Sequence, residues 1–521
     1  MRIRKFGVRA IASAFAITVM ASSSNTALAL DPNEEDFALK ELGKYVFFDK
    51  ISTPARMACA SCHDPDTGGT GTNSGVNLHQ VAVTGANPHT VGNLKPPTNA
   101  YASFIAPFHD CTNGLTRLCG GNFWDGRAEG REDKLYPNGA TKHIGDEVFQ
   151  GVPAGHQALG YDKYFGPTSD QALNPMPNPV EQNIERQAVC EQVAAADYAP
   201  LFKQAWGVAI SCGSGPASVS APDADGPESR FDISFKRLML AVGAWQHSNE
   251  LNSFSSKRDN ALRAEIACVE GSPDADPAVC SDPKFVGSPG EFPLVGLTDA
   301  ENLGHDIFYS VFNNPAPGLP VANCSVCHSD NPGGPGAPRD SGAELHQLYA
   351  DDSFHNIGVP KNPEVPQAYD EFGNPIDADL GLMAHTGRAS DRGAFKTPTT
   401  RNVDKRKGKG FTKAYGHNGW FKSLESIVHF YNTANVNGAT AAQFGVTRCP
   451  AGVETEKQAL ANNCWPAPAA EVSNIAIPFL VGDLGMTLEQ EAALVAYMKA
   501  LTDLETPTKP APYKSSKKSK K

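Results

Sequence analysis

Met57-Ala-Cys59-Ala-Ser-Cys62-His63 is the stretch that decides how this chain is built. It has the spacing C-x-x-C-H, the attachment signal of a c-type haem. In that chemistry two cysteine sulfurs bond to the haem vinyl groups and the adjacent histidine ligates the iron. A second copy, Cys324-Ser-Val-Cys327-His328, lies far along the chain. Together they give four attachment cysteines and two iron-binding histidines, His63 and His328.

Each motif has a similar lead-in. Before the first, Phe37, Leu39, Leu42, Val46 and Phe47 recur at helical spacing. Before the second, Thr298-Asp-Ala-Glu301 is a capping box that opens a helix. Leu42-Gly43-Lys44-Tyr45-Val46-Phe47-Phe48 then aligns with Leu303-Gly304-His305-Asp306-Ile307-Phe308-Tyr309. This internal duplication predicts a mainly α protein of two cytochrome-c-like haem domains with long loops and insertions.

Further helices are expected over 233–246 and after the capping box Thr487-Leu-Glu-Gln490. The second would carry an apolar stripe of Leu488, Leu494, Val495, Met498 and Leu501. The 48 Gly and 40 Pro among 521 residues point to many turns. Residues 211–227 read as a surface loop, and 270–293 as the boundary between the two units.

The amino terminus looks like an address. Arg2, Arg4 and Lys5 precede a short apolar run from Ile11 to Met20, and Ala27-Leu-Ala29 is an A-x-A cleavage site. The run is too short for a retained membrane anchor. The expected organisation is a signal peptide over 1–29, an N-terminal haem domain over 30–290, a C-terminal haem domain over 291–505, and a disordered lysine-rich tail over 506–521. The predicted location is the bacterial periplasm.

A net charge of −12 argues against nucleic-acid binding. Outside the haem motifs eight cysteines remain, in four local pairs: Cys111 and Cys119, Cys190 and Cys212, Cys268 and Cys280, Cys449 and Cys464. An even remainder in an oxidising compartment suggests disulfides. Their connectivity is open at this point.

The chain resembles the bacterial di-haem cytochrome c peroxidase and MauG family. The matching pieces are both haem motifs, Phe123-Trp-Asp-Gly-Arg-Ala128, Asn178-Pro-Val-Glu181, Phe395-Lys-Thr-Pro398, Arg401-Asn402, His417-Asn-Gly419 and the terminal helix. They occur in the family order, with long insertions between Arg127 and Gln171 and between Glu181 and Thr298.

The resemblance implies a division of labour. The His63 haem would react with hydrogen peroxide, with Glu181 as acid–base and Gln171 beside it. Trp124 would relay electrons between the haems, and Arg127 would pair with a propionate. Some relatives carry a displaceable histidine over the reactive iron. Here that register falls at Asn87, between His79 and His89, so the iron is expected to lack a distal protein ligand; His89 is the alternative.

At the second haem the family's methionine ligand is replaced. Fourteen residues after His417 stands Tyr431, in the helical stripe Leu424, Ile427, Val428, Tyr431. Tyr431 is therefore the expected distal ligand of the His328 iron, with Met383 as its rival. A hard phenolate oxygen favours Fe(III) over Fe(II).

The resemblance also implies a calcium ion between the domains. Thr412 and Ala414 match its carbonyl donors, but Lys95 replaces the asparagine ligand, with Asn93 nearby. The electron donor would be a small cytochrome c or cupredoxin, and a homodimer stays open. The alternatives are a MauG-like enzyme that oxidises side chains of a partner protein, and a non-enzymatic di-haem electron-transfer cytochrome.

Overall fold

A computed structural model describes residues 32–111, 117–140, 142–217, 228–287, 292–328, 346–369, 374–434, 443–470 and 480–514. The signal segment and residues 515–521 of the tail lie outside the described residues. Among the described residues the architecture is mainly helical, with four two-stranded β pairs.

Six helices carry the argument: α1 (Pro32–Phe48), α2 (Pro167–Ala172), α3 (Arg230–Gln246), α4 (Asp299–Phe308), α5 (Leu424–Thr433) and α6 (Leu488–Ala500). One apolar core gathers Leu39, Leu42, Val46 and Phe47 of α1 against Phe235, Leu238, Met239 and Val242 of α3. A second gathers Ile307 and Phe308 of α4 against Leu494, Val495, Tyr497 and Met498 of α6.

The duplication has a structural counterpart. Gly43 lies so close to α3 that an added Cβ would meet the Ala241 carbonyl oxygen at 1.8 Å. Gly304 lies just as close to α6, with the Ala493 carbonyl oxygen at 2.0 Å. The Leu-Gly pairs shared by the two lead-ins are thus two equivalent close helix crossings, α1 on α3 and α4 on α6. Only glycine permits backbones to approach this near.

The helix ends follow the sequence. Thr298 and Thr487 form the expected capping boxes of α4 and α6, with Glu301 and Gln490 closing them. α3 is buried on all sides, including Lys236 and Arg237. Lys236 is paid for by ion pairs with Glu147 (2.7 Å) and Glu228 (2.5 Å). Arg237 donates to the Val148 and Gln150 carbonyls.

The two halves are joined by buried polar contacts. Arg401 makes a two-pronged ion pair with Asp259, at 2.8 and 2.9 Å, with both side chains fully buried. Tyr101 and Asn402 both donate to Asp503, at 2.6 and 2.7 Å.

Two side chains depart from the sequence expectations. Phe37 and Leu488 belong to the apolar stripes by spacing, yet they are 63% and 61% exposed. Phe37 points away from its buried neighbours Ala38 and Leu39, and Leu488 is the first residue of its helix. Residues 506–514, the described start of the expected tail, carry no helix or strand but touch α1. Tyr45 of α1 donates to the Ala511 carbonyl at 2.7 Å, and Tyr513 packs edge-on against its ring. All four neighbouring cysteine pairs are disulfides.

Candidate functional site

Each haem motif opens with a short 3-10 turn, Cys59–Ser61 and Cys324–Val326. The turn brings the cysteines and the following histidine to the same cavity. Cys59, Cys62 and His63 line one wall, and Cys324, Cys327 and His328 another. These four cysteines are free. Burial pushes the Cys59 thiol up to about 11 and the Cys324 thiol up to about 12.

Both histidines are oriented alike. His63 Nδ1 donates to the Gly69 carbonyl at 3.0 Å, and His328 Nδ1 to the Tyr349 carbonyl at 3.1 Å. A carbonyl partner fixes the tautomer and leaves the Nε2 lone pair for a metal. Burial lowers both histidine pKa values, so the neutral, ligating form prevails.

The first cavity consists of two adjoining pockets of about 730 and 640 Å³, which share His63, Asn99, Gln171 and Gln246. Glu181 lines the second of these pockets. Its Oε1 accepts from Asn178 Nδ2 at 2.7 Å. Burial raises its pKa, against the opposing pull of Arg127 and the Asn178 bond. The Glu181 carbonyl accepts from Ala86 N–H at 2.6 Å. Gly85 packs so tightly that an added Cβ would lie 2.3 Å from the Val180 carbonyl oxygen.

His79 and His89 do not line this cavity. His79 pairs with Glu364 at 2.9 Å, and His89 is exposed.

The second cavity encloses about 1500 Å³. Leu424, Ile427, Val428 and Tyr431, the expected stripe of α5, all line it. Burial holds the Tyr431 hydroxyl above the usual phenol range. Met383 is not among the lining residues. His429 turns the other way and contacts Glu491 on α6 at 3.0 Å. Met486 and Met498 also line the cavity; Met498 comes from the expected apolar stripe of α6, whereas no sequence pattern pointed to Met486.

Trp124 lines both cavities. Its indole Nε1 donates to the Lys95 carbonyl at 2.7 Å, and its own carbonyl accepts from Lys396 N–H at 3.0 Å. Phe395 meets the indole edge-on and stacks on His417 at 3.5 Å. His417 in turn pairs with buried Asp379 at 2.8 Å.

Arg127 pairs with Asp125 at 2.9 Å and lines no cavity described here. The buried cation that reaches both cavities is Lys396. Sequence reasoning missed it because a lysine between Phe395 and Thr397 carries no local sign of burial. Gln246, missed likewise, follows the apolar run Leu238 to Trp245 at the end of a buried helix, and that was its available signal.

These residues fit two covalent haems. Each cavity has a free cysteine pair, a neutral histidine with a fixed tautomer, and largely apolar walls. Lys396, which lines both cavities, would supply positive charge for haem propionates. Cys327, Asp351 and His355 also bring ligand atoms within 4.8 Å of one another. Cys327, however, belongs to the attachment motif, and His355 is already engaged by Asp351 (2.9 Å) and Ser353 (2.6 Å).

The sequence model described as di-haem cytochrome c peroxidase matches residues 38–267. The methylamine utilization protein MauG of Paracoccus denitrificans is 26% identical over 492 residues, covering 94% of each chain. The cytochrome-c peroxidase IdrP2 of Denitromonas iodatirespirans is 27% identical over 165 residues, covering 29% of this chain and 36% of that one. The diheme peroxidase BthA of Burkholderia thailandensis has a similar fold, with a TM-score of 0.53 at 20% identity, covering 92% of this chain and 90% of that one.

Proposed function

The chain belongs to the di-haem cytochrome c peroxidase and MauG family of haem oxidoreductases, and on that premise we propose that it reduces hydrogen peroxide at the His63 site. The family implies two c-type haems. Held by Cys59, Cys62 and His63 and by Cys324, Cys327 and His328, they would supply irons able to exchange electrons and to react with peroxide. The observation that carries the proposal is the asymmetry of the cavities: the Glu181 carboxylate, held among the described residues only by the Asn178 amide, lines the first, whereas Tyr431 lines the second, whose carboxylate Asp379 is taken up by His417.

Glu181 takes a proton from one peroxide oxygen and returns it to the other, so that water departs. Its raised pKa suits both halves of this transfer. Asn178 holds the carboxylate, and Gln171 orients the peroxide by hydrogen bonding. Two electrons and two protons then complete the conversion of one peroxide to two waters. The electrons come from a small cytochrome c or cupredoxin and pass Trp124, whose position on both cavity walls supports a relay.

Residues 30–290 form the peroxide-reactive domain and residues 291–505 the electron-transfer domain, a division that the two separate cores support. The protein works in the periplasm after loss of residues 1–29. Four disulfides agree with an oxidising compartment. No helix among the described residues is long and apolar enough to cross a membrane.

The second reading is a MauG-like enzyme that oxidises side chains of a partner protein. Tyr431 favours it, because a phenolate ligand would let the second site share oxidising equivalents. The deciding experiment for the first reading is Glu181→Gln. Peroxide consumption with a reduced cytochrome should fall by about 10²-fold or more while both haem absorbances persist. Unchanged turnover refutes the role of Glu181.

A further inference from the structure

Two lysines are buried where the halves of the molecule meet. Lys413 Nζ donates to three main-chain carbonyls: Thr67 at 2.9 Å, Asn402 at 2.7 Å and Lys405 at 3.1 Å. Lys95 Nζ donates to Thr70 Oγ1 at 2.7 Å and to the Pro96 carbonyl at 3.4 Å. Both residues are under a tenth exposed. A buried charge is costly unless its donors are matched. Here the chain surrounds each nitrogen with oxygen.

Such a shell of carbonyl and hydroxyl oxygens is what a hard divalent cation selects. The cage is nevertheless filled. An added Cβ on Gly68 would lie 3.2 Å from Lys413 Nζ and 2.8 Å from the Asn402 carbonyl oxygen. Thr412, expected to give a carbonyl to calcium, already accepts from Asn77 Nδ2 at 2.9 Å. Burial and the neighbouring Lys95 charge press Lys413 toward the neutral amine. Three carbonyls around one nitrogen oppose this, since an amine has only two N–H donors and the ammonium has three.

The main chain of Lys95 gives the junction a wider reach. Its N–H donates to the His417 carbonyl at 2.8 Å, and its carbonyl accepts the Trp124 indole. Thr70 follows Gly69, whose carbonyl orients His63. One residue thus touches the supports of the first-cavity histidine, the shared tryptophan and the turn beside the second cavity.

We propose that the Lys95 and Lys413 ammonium groups are the cation of this junction, replacing the calcium ion that the family resemblance implies. Lys95 ties this cation to Trp124 and the His417 turn through its main chain, and Lys413 ties it to the Thr67, Asn402 and Lys405 carbonyls. The calcium expectation does not fit the residues present, because a buried ammonium, Lys95, stands where the asparagine ligand would be, a second lies at Lys413, and the Thr412 carbonyl is already taken by Asn77.

The test uses the holoprotein. It is dialysed against EGTA, analysed for calcium by mass spectrometry, then melted with and without added calcium chloride. The expected result is calcium far below one per chain and the same haem spectra and melting temperature in all conditions. A tightly held calcium per chain, or a spectral change on chelation, overturns the proposal. In the double variant Lys95→Asn with Lys413→Met, calcium should now raise the melting temperature in a concentration-dependent way. A folded double variant that stays indifferent to calcium also overturns it. If the double variant does not fold, the wild-type measurements decide alone.

Discussion

Replacing Gly304 with alanine sets two effects against each other. In an exposed helix interior the change would stabilise by about 1 kcal/mol, because alanine loses less backbone freedom. Here the new Cβ would stand 2.0 Å from the Ala493 carbonyl oxygen of α6. The obstacle is backbone, so no side chain can swing aside. The α4–α6 crossing must open by about 1 Å, and overpacking of this kind costs about 1–3 kcal/mol or more. Both helices wall the second cavity, through Phe308, Leu494 and Met498.

The net expectation is destabilisation by about 2 kcal/mol, or roughly 4–8 °C in melting temperature for a unit of this size. The spectrum of the His328 haem should change while that of the His63 haem does not. Thermal melts followed by circular dichroism in the haem band measure both. A Gly304→Ala protein that melts at or above the wild-type temperature refutes the close crossing, since propensity alone would then have decided the outcome.

Other expectations follow from the first cavity and the relay. Proton abstraction needs the ionised form of Glu181, whose pKa is raised by burial, so the acid limb of kcat/KM should lie above the ordinary glutamate range. Asn178→Ala removes a bond that favours the ionised form, and should move that limb to higher pH; a limb that stays put contradicts the assignment. Gly85→Ala should displace the Glu181 turn and cut peroxide turnover without loss of haem, as steady-state assays would report. Trp124→Phe keeps the packing but loses the bond to Lys95 and the oxidisable indole. It should slow electron passage between the haems in stopped-flow measurements, and an unchanged rate removes Trp124 from the route.

Local chemistry was legible in the chain. Two C-x-x-C-H motifs, two Leu-Gly pairs and the α5 stripe ending at Tyr431 depend on neighbours a few residues apart. Their cavities, close crossings and lining positions follow from that spacing. What was not legible depends on partners far away. Lys413 looks like a solvated lysine until Thr67 and Asn402 fold around it. Lys396 looks alike until its strand pairs with Phe354 and carries it between the cavities. Phe37 and Leu488 were expected in apolar stripes, yet both are exposed, Phe37 directly beside buried Ala38 and Leu39.

The central claim is that two nearly identical motifs make unequal sites, the first open for peroxide and the second closed by Tyr431. Low-temperature EPR of the ferric holoprotein as isolated tests it most directly. The account predicts one high-spin signal from the His63 site and one low-spin signal from the His328 site, with only the low-spin signal altered in Tyr431→Met. Two low-spin signals, or a Tyr431→Met spectrum identical to wild type, would contradict it.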